Sequence, residues 1–196
     1  MAKRESTFKN MALALAVITA VAGAALAMVY SVTAEPIKAS QVAKINNAIK
    51  MVIPEFETKT DTTLMPETGK DSIRLYLLSK GAENSGFAVE TYTDNGFSGR
   101  FTLMVGFTPD GAISNIEVLE HKETPGLGTK MALPGFKDQF KGIKLADLPG
   151  EQLKVKKDGG TVDAITAATI SSRGYCDAVN RAYSTLKTVK NNESAQ

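Results

Sequence analysis

The segment over residues 162–172 carries residue types that can hold or bear a phosphate. Its sequence is VDAITAATISS, and its four hydroxyl side chains are Thr166, Thr169, Ser171 and Ser172. An amphipathic helical pattern follows directly, which places these hydroxyls at a helix entrance. A helix N-terminus has free backbone N–H groups and the positive end of the helix dipole, so it attracts anions. Ser and Thr are also common helix caps, and spacing alone favours that simpler role.

A second segment, HKETPGLG over residues 121–128, suits the close approach of a flat ligand. Pro125 fixes one turn, while Gly126 and Gly128 have no side chain to keep a ligand away from the backbone. The simpler alternative is a loop between a strand and a helix that Pro and Gly make rigid. The segment on its own does not decide between the two.

Composition argues against several other kinds of chemistry. The chain of 196 residues has a single cysteine, Cys176, and a single histidine, His121. We therefore expect no internal disulfide, no metal site and no hydrolytic triad. Cys176 is expected to be a structural thiol, and His121 to lie at the surface or at the edge of a ligand. The net charge of +2 argues against nucleic-acid binding.

The elements that must position these segments are mainly strands. Apolar runs predict strands over residues 73–79, 87–93, 101–107, 113–119 and 153–156. Residues 109–111, Pro-Asp-Gly, predict a hairpin turn. Residues 57–71 are polar and rich in turn formers, which indicates a loop.

Helices are predicted at both ends of this run of strands. Ser40 can cap a helix over residues 41–53, and Phe136 and Phe140 suggest a short helical segment. Apolar residues at helical spacing over residues 175–189 predict a final amphipathic helix. The whole pattern indicates an α+β domain with an antiparallel sheet and terminal helices.

Residues 11–33 contain no charged side chain and are long enough to cross a membrane. As a helix they would span roughly 35 Å, against a hydrocarbon core of about 30 Å. The run follows three cations, Lys3, Arg4 and Lys9. The positive-inside rule then puts residues 1–10 in the cytoplasm and residues 34–196 outside. A cleaved signal peptide is the alternative, but its apolar region is usually shorter, so we predict a retained single-pass anchor in the cytoplasmic (inner) membrane.

Taken together and in their order along the chain, the two segments resemble the FMN-binding domain found in the G subunits of Rnf complexes and in the C subunits of sodium-pumping NADH:quinone oxidoreductases. The family's E-T-P-G-L-G segment is matched at every position by residues 123–128. Its flavinylation motif, D-x-x-S/T-G-A-T, is matched by Asp163, Thr166, Ala168 and Thr169. A G-Y-G-G-like turn is matched only loosely, by residues 96–99. The resemblance covers roughly the whole chain.

The resemblance implies an FMN bound covalently to Thr169 through a phosphoester, and a flavin transferase that reads Asp163, Thr166, Ala168 and Thr169. It also implies contacts between the cofactor and two groups of residues. The helix entrance would contribute Thr166, Ala168, Ser171 and Ser172. The loop would contact the ring or the ribityl chain through Glu123, Thr124, Gly126, Leu127 and Gly128.

One residue departs from the motif, because Ala167 stands where the family has Gly. If the Gly is needed for a positive φ, Ala costs of order 1 kcal/mol. If it is needed only for closeness to the phosphate, one methyl group is tolerated. Neither case changes the identity of the acceptor.

The resemblance implies an electron-carrying member of a membrane-bound Rnf-type complex, which passes electrons between ferredoxin and NAD and couples this to Na⁺ or H⁺ movement. The sequence has no nicotinamide fingerprint and no iron–sulfur ligands, so the chain would be one relay and not the complete enzyme. One alternative is the C-type component of the quinone reductase, whose chains are usually longer. Others are a secreted free-standing flavin carrier and a non-flavin adhesive or structural domain.

Overall fold

The computed structural model describes residues 7–193. It divides the chain into two compact units, Met1–Lys44 and Ile45–Gln196. The predicted cytoplasmic cations Lys3 and Arg4 lie outside the described residues, so their location stays a prediction.

The first helix, α1, runs over Phe8–Val52. Within the first unit its apolar side chains are exposed, among them Leu13, Val21 and Leu26. In the part of the chain that the structure describes, it is the one helix long and apolar enough to cross a membrane. The prediction that a separate helix begins after Ser40 is wrong, because α1 continues through that residue. Its neighbours include strong helix formers (Ala, Gln and Lys), so the chain has no helix entrance there for a Ser to cap.

A five-stranded antiparallel sheet forms the centre of the second unit, with its strands side by side in chain order. The strands are β1 Thr58–Leu64, β2 Ile73–Lys80, β3 Glu83–Thr93, β4 Phe101–Phe107 and β5 Ile113–Glu120. Strands β2 to β5 confirm four of the predicted strands. A turn from Thr108 to Gly111 joins β4 to β5, as predicted. With helices before and after the sheet, the predicted α+β fold is confirmed.

The expectation of a loop over residues 57–71 is wrong, because β1 lies within that range. Its sequence TKTDTTL is polar and almost entirely exposed. Strand β1 is at the edge of the sheet and pairs only with β2, from Thr58↔Ser79 to Leu64↔Ile73. Threonine favours strands, but a strand with both faces in solvent lacks the hydrophobic alternation by which a strand is recognised.

Both faces of the sheet are covered within the second unit. Successive residues of a strand point to opposite faces, so Leu103 of β4 lies in one apolar cluster and Met104 in the other. The larger cluster includes residues of the final helix, α3, Thr169–Glu193, and of the short helix α2, Pro134–Lys137. The smaller cluster includes Ile49, from the last turns of α1. Helix α3 confirms the predicted final helix.

The segment between β5 and α3 has little regular structure. Helix α2 and the 3-10 turn after it confirm the short helical segment predicted from Phe136 and Phe140. The strand predicted over residues 153–156 is wrong, because Val155 makes only a single bridge, to Val162. Both valines are buried in the larger cluster, so the apolar pattern reflects packing and not a paired strand. The bridge anchors the hydroxyl-rich segment at its first residue, Val162.

Candidate functional site

A tight turn leads the chain into α3. The Ala168 amide donates a hydrogen bond to the Ile165 carbonyl oxygen at 2.9 Å, and α3 begins at the next residue, Thr169. Ala167, the third residue of this turn, has a φ of 61°. Turns with positive φ at this position normally carry Gly, because the left-handed region costs a residue with a Cβ roughly 1–2 kcal/mol. The usual Gly of the motif therefore serves backbone conformation.

Two of the four hydroxyls in this segment donate their protons to acceptors inside the protein. The buried Ser172 hydroxyl donates to the Ala168 carbonyl oxygen at 3.0 Å and accepts from the Ile165 amide at 2.9 Å. The buried Ser171 hydroxyl donates to a carboxylate oxygen of Glu123 at 2.9 Å. Because a serine hydroxyl has one proton, neither serine retains a proton to donate to a phosphate.

The two threonines of the segment keep accessible side chains. Thr166 is exposed in the turn, and Thr169 is half-buried at the first residue of α3. Amides in the first turn of a helix have no intrahelical acceptor, and the Ser172 amide makes the helical bond back to Ala168. The Thr169 hydroxyl thus belongs to a turn whose amides can hold an anion.

A groove of about 300 Å³ opens beside Thr169. Three segments of the chain line it, at Phe97, within residues 123–128 and at residues 167–171. Three of its apolar side chains are exposed: Phe97 by 66%, Ile170 by 48% and Leu127 by 38%. Exposed apolar side chains beside a polar helix entrance suit a ligand with a flat ring and an anionic tail.

The loop over residues 123–128 folds as a compact turn against this groove. The Leu127 amide donates to the Thr124 carbonyl oxygen at 3.2 Å, and the Gly126 amide donates to the Thr129 hydroxyl at 2.9 Å. Gly126 has a φ of 75°, a conformation that Gly adopts without strain. Thr124, Leu127 and Gly128 line the groove, whereas Gly126 shapes the turn.

Asp163, the first residue of the motif, lies outside the groove lining. Its exposed carboxylate pairs with Lys156 at 2.8 Å. The Gln139 side chain fixes its backbone twice, by accepting from the Asp163 amide at 2.8 Å and donating to the Asp163 carbonyl oxygen at 3.2 Å. The carboxylate thus faces solvent on a backbone that is held in place.

His121 and Cys176 are not among the residues that line this groove. His121 is exposed, and Cys176 is buried on α3, where burial raises the pKa of its thiol to about 12. Cys176 lines a larger groove of about 700 Å³ along α3, which includes none of the predicted site residues. Within residues 7–193 no three His, Cys, Asp or Glu side chains are grouped so as to hold a metal ion.

The groups that line the groove fit FMN. Phe97, Leu127 and Ile170 offer apolar surface for an isoalloxazine ring, and the entrance to α3 offers amides for a phosphate. Thr169 contributes a hydroxyl to the same lining.

Comparison with known proteins also indicates an FMN-binding domain. The sequence model of a family described as FMN-binding domain matches residues 96–184, a range that contains every residue lining the groove. The G subunit of the ion-translocating oxidoreductase complex of Methanosarcina acetivorans is 35% identical over 175 residues, covering 86% of this chain and 88% of the relative. That of Aliivibrio fischeri strain ES114 is 30% identical over 193 residues, covering 93% and 92%. The chain belongs to the family of G subunits of ion-translocating oxidoreductase complexes.

A solved structure shares the fold of this G-subunit family member. The C subunit of the Na⁺-translocating NADH-quinone reductase from Parabacteroides distasonis superposes with a TM-score of 0.51, at 19% identity, over 66% of this chain and 75% of that chain. The family resemblance inferred from the two motifs is therefore confirmed, and so is the FMN-binding fold. Both relatives compared by sequence are G subunits, in agreement with the first hypothesis.

The structure brings most of the predicted site residues together. The groove lining contains Glu123, Thr124, Leu127, Gly128, Ala168, Thr169 and Ser171. Ser172 is fully buried and bonds to the Ala168 carbonyl oxygen, while Thr166 and Asp163 are exposed and are not part of the lining. Sequence reasoning missed Gln139, for which no motif gives a signal, and saw the turn with Phe97 only through a loose match.

Proposed function

We propose that Thr169 bears FMN through a phosphoester and that the ring occupies the groove beside it. The observation that supports this most directly is the division of hydroxyls at the entrance to α3. Of the four hydroxyls there, Ser171 and Ser172 are committed to internal hydrogen bonds, whereas Thr169 lines the groove with a half-buried side chain. Thr166, the other accessible hydroxyl, is exposed in the turn and is not part of that lining.

Attachment requires a hydroxyl acceptor and an activated phosphate. The Oγ of Thr169 would bond to the flavin-side phosphorus of a flavin dinucleotide and lose its proton, while a nucleoside monophosphate leaves. The amides of the first turn of α3 offset negative charge on the phosphate. A flavin transferase is the partner that this reaction needs, and Asp163 and Thr166 present exposed groups to it.

We infer that the chain acts as the electron-carrying member of a membrane-bound Rnf-type complex. FMN supplies one- and two-electron chemistry, and the protein supplies its placement and its electrostatic surroundings. The complex would pass electrons between ferredoxin and NAD and couple this to translocation of Na⁺ or H⁺. Residues 34–196 would form the FMN-binding domain.

We further infer that the apolar part of α1 anchors this domain to the inner membrane. Its side chains in the first unit are exposed along a length that crosses a bilayer. The cations that precede residues 11–33 favour a cytoplasmic N-terminus and an extracytoplasmic FMN-binding domain. Anchoring would keep the domain at a high effective concentration near the other subunits.

Substitution of the acceptor tests the attachment. Thr169→Ala should abolish flavin fluorescence in a denaturing gel and lower the intact mass by the flavin phosphate, while the protein remains folded. Thr188→Ala, which removes an exposed hydroxyl on the same helix that bonds only to the Ser184 carbonyl oxygen, should keep full fluorescence. Fluorescence that persists in Thr169→Ala at the flavinylated mass would place the ester on another residue.

A further inference from the structure

Glu123 is a buried carboxylate at the junction of the three segments that line the groove. It is only 4% exposed. Its Oε2 accepts a hydrogen bond from the Ser171 hydroxyl at 2.9 Å, and its Oε1 accepts one from the Ser98 amide at 3.3 Å. Both donors are neutral groups. Because both oxygens act as acceptors, this arrangement suits an ionised carboxylate.

Two glycines leave the space that this carboxylate fills. A Cβ added to Gly128 would lie 2.6 Å from Glu123 Oε2 and 2.9 Å from Ser171 Oγ. A Cβ added to Gly96 would lie 2.7 Å from Glu123 Oε1 and 2.3 Å from the Gly99 carbonyl oxygen. Neither glycine has a positive φ, so what these positions need is room and not an unusual backbone. Gly128 thus leaves room for Glu123, whereas Gly96 leaves room both for Glu123 and for the backbone of its own turn.

We propose that Glu123 is a positioning residue that holds the sides of the groove together. Through Ser171 it fixes the first turn of α3, and through the Ser98 amide it fixes the turn that carries Phe97. It acts on the bound flavin through these neighbours and through its charge. The proposal rests on the proposed function only in that the groove holds FMN.

The charge has a consequence of its own. A carboxylate buried beside the groove interacts strongly with nearby charge, because the surroundings screen it less than water does. Reduction adds negative charge to the site, so Glu123 disfavours reduction and lowers the midpoint potential of the flavin. A purely structural side chain of the same shape would have no such effect.

A double-mutant cycle tests the positioning role without any flavin. In the Thr169→Ala background, Glu123→Ala and Ser171→Ala should each lower the melting temperature. The double variant should lose clearly less than the sum of the two single losses, because each single variant leaves one buried partner of this hydrogen bond unpaired and the double variant removes both partners. Losses that add independently would overturn the proposal. These melting temperatures could be interpreted even if Thr169 proved not to be the attachment site.

The isosteric variant Glu123→Gln tests the charge on the otherwise native chain. Because it keeps the shape of the side chain, it should fold even if Glu123→Ala does not. The Ser171 hydroxyl can rotate to accept from the new amide, so flavin occupancy should remain near that of the native protein. The midpoint potential of the bound flavin should shift upward. Glu83→Gln, an exposed carboxylate at the opposite end of β3, should leave it unchanged. An unchanged potential in Glu123→Gln, with full occupancy, would refute the electrostatic role.

Discussion

At the scale of single residues, the types of side chain at the site could be predicted from the sequence. Which of the hydroxyls are held in internal hydrogen bonds could not. All four hydroxyls at the entrance to α3 look equivalent in the string VDAITAATISS. The buried hydrogen bonds of Ser171 and Ser172 distinguish them, and the one from Ser171 reaches a residue far away in the chain, Glu123. Contacts between residues so distant in sequence leave no local pattern.

The left-handed conformation of Ala167 gives a prediction about stability. Ala167→Gly should raise the free energy of unfolding by roughly 0.5–1 kcal/mol, because relief of the strained φ outweighs the extra freedom of Gly in the unfolded chain. Urea denaturation of the flavin-free protein measures it. Ala146→Gly, at an exposed residue of a 3-10 turn without positive φ, should act in the opposite direction. A loss of stability in Ala167→Gly would contradict the strain.

The exposed carboxylate of Asp163 gives a prediction that separates recognition from stability. Its ion pair with Lys156 joins two side chains that are 73% and 59% exposed, so it contributes only about 0–1 kcal/mol. Asp163→Ala should therefore lower flavin occupancy while the melting temperature barely changes. Lys156→Ala removes the same ion pair but keeps the carboxylate, and it should retain full occupancy. Equal occupancy in the two variants would show that the Asp163 carboxylate is not recognised during flavin attachment.

At the scale of secondary-structure elements, strong apolar patterns were a reliable guide and weak ones were not. Strand β4 is an apolar run that is buried almost throughout, helix α3 has apolar residues at helical spacing, and both were predicted. Strand β1 buries almost none of its residues, and Ser40 lies within a helix that continues on both sides of it. The stretch with Val155 packs into the core without pairing as a strand. For β1 and for the stretch with Val155, the deciding contact is with a residue outside the local sequence.

The link between the 3-10 turn after α2 and the motif gives a prediction at this scale. Gln139→Ala removes both hydrogen bonds to the Asp163 backbone, so it should cost about 1–2 kcal/mol of stability. It should also slow flavin attachment at limiting transferase, because Asp163 is no longer held for recognition. Gln139→Glu keeps an acceptor for the Asp163 amide and should be intermediate. Gln152→Ala, at an exposed glutamine outside the motif, is the control. Attachment at the native rate in Gln139→Ala would show that this contact has no role in flavin attachment.

At the scale of the whole molecule, the fold places the groove beside Thr169 at one end of the sheet. The turn with Phe97 follows β3, the loop over residues 123–128 follows β5, and α3 begins beside both. In an antiparallel meander, alternate strands end on the same side, which is why these two turns meet. The sequence predicted strands β3 and β5 but not their places in the sheet, and the contact between Glu123 and Ser171 that brings α3 close left no local signal.

The flavin on Thr169 should be an obligatory electron relay in the assembled complex. Thr169 is a single half-buried side chain at the end of a helix, and Ala is well tolerated within helices, so the domain and its partner surfaces should form normally without the flavin. The described residues include no grouped metal ligands that could take over the transfer. We therefore expect a complex with Thr169→Ala to assemble with all its subunits but to lose ferredoxin-to-NAD electron transfer and ion pumping together, whereas Thr188→Ala keeps both. Electron transfer and ion flux measured in the same vesicles would test this, and a flavin-free complex that retained both near the native rate would show that electrons bypass this protein.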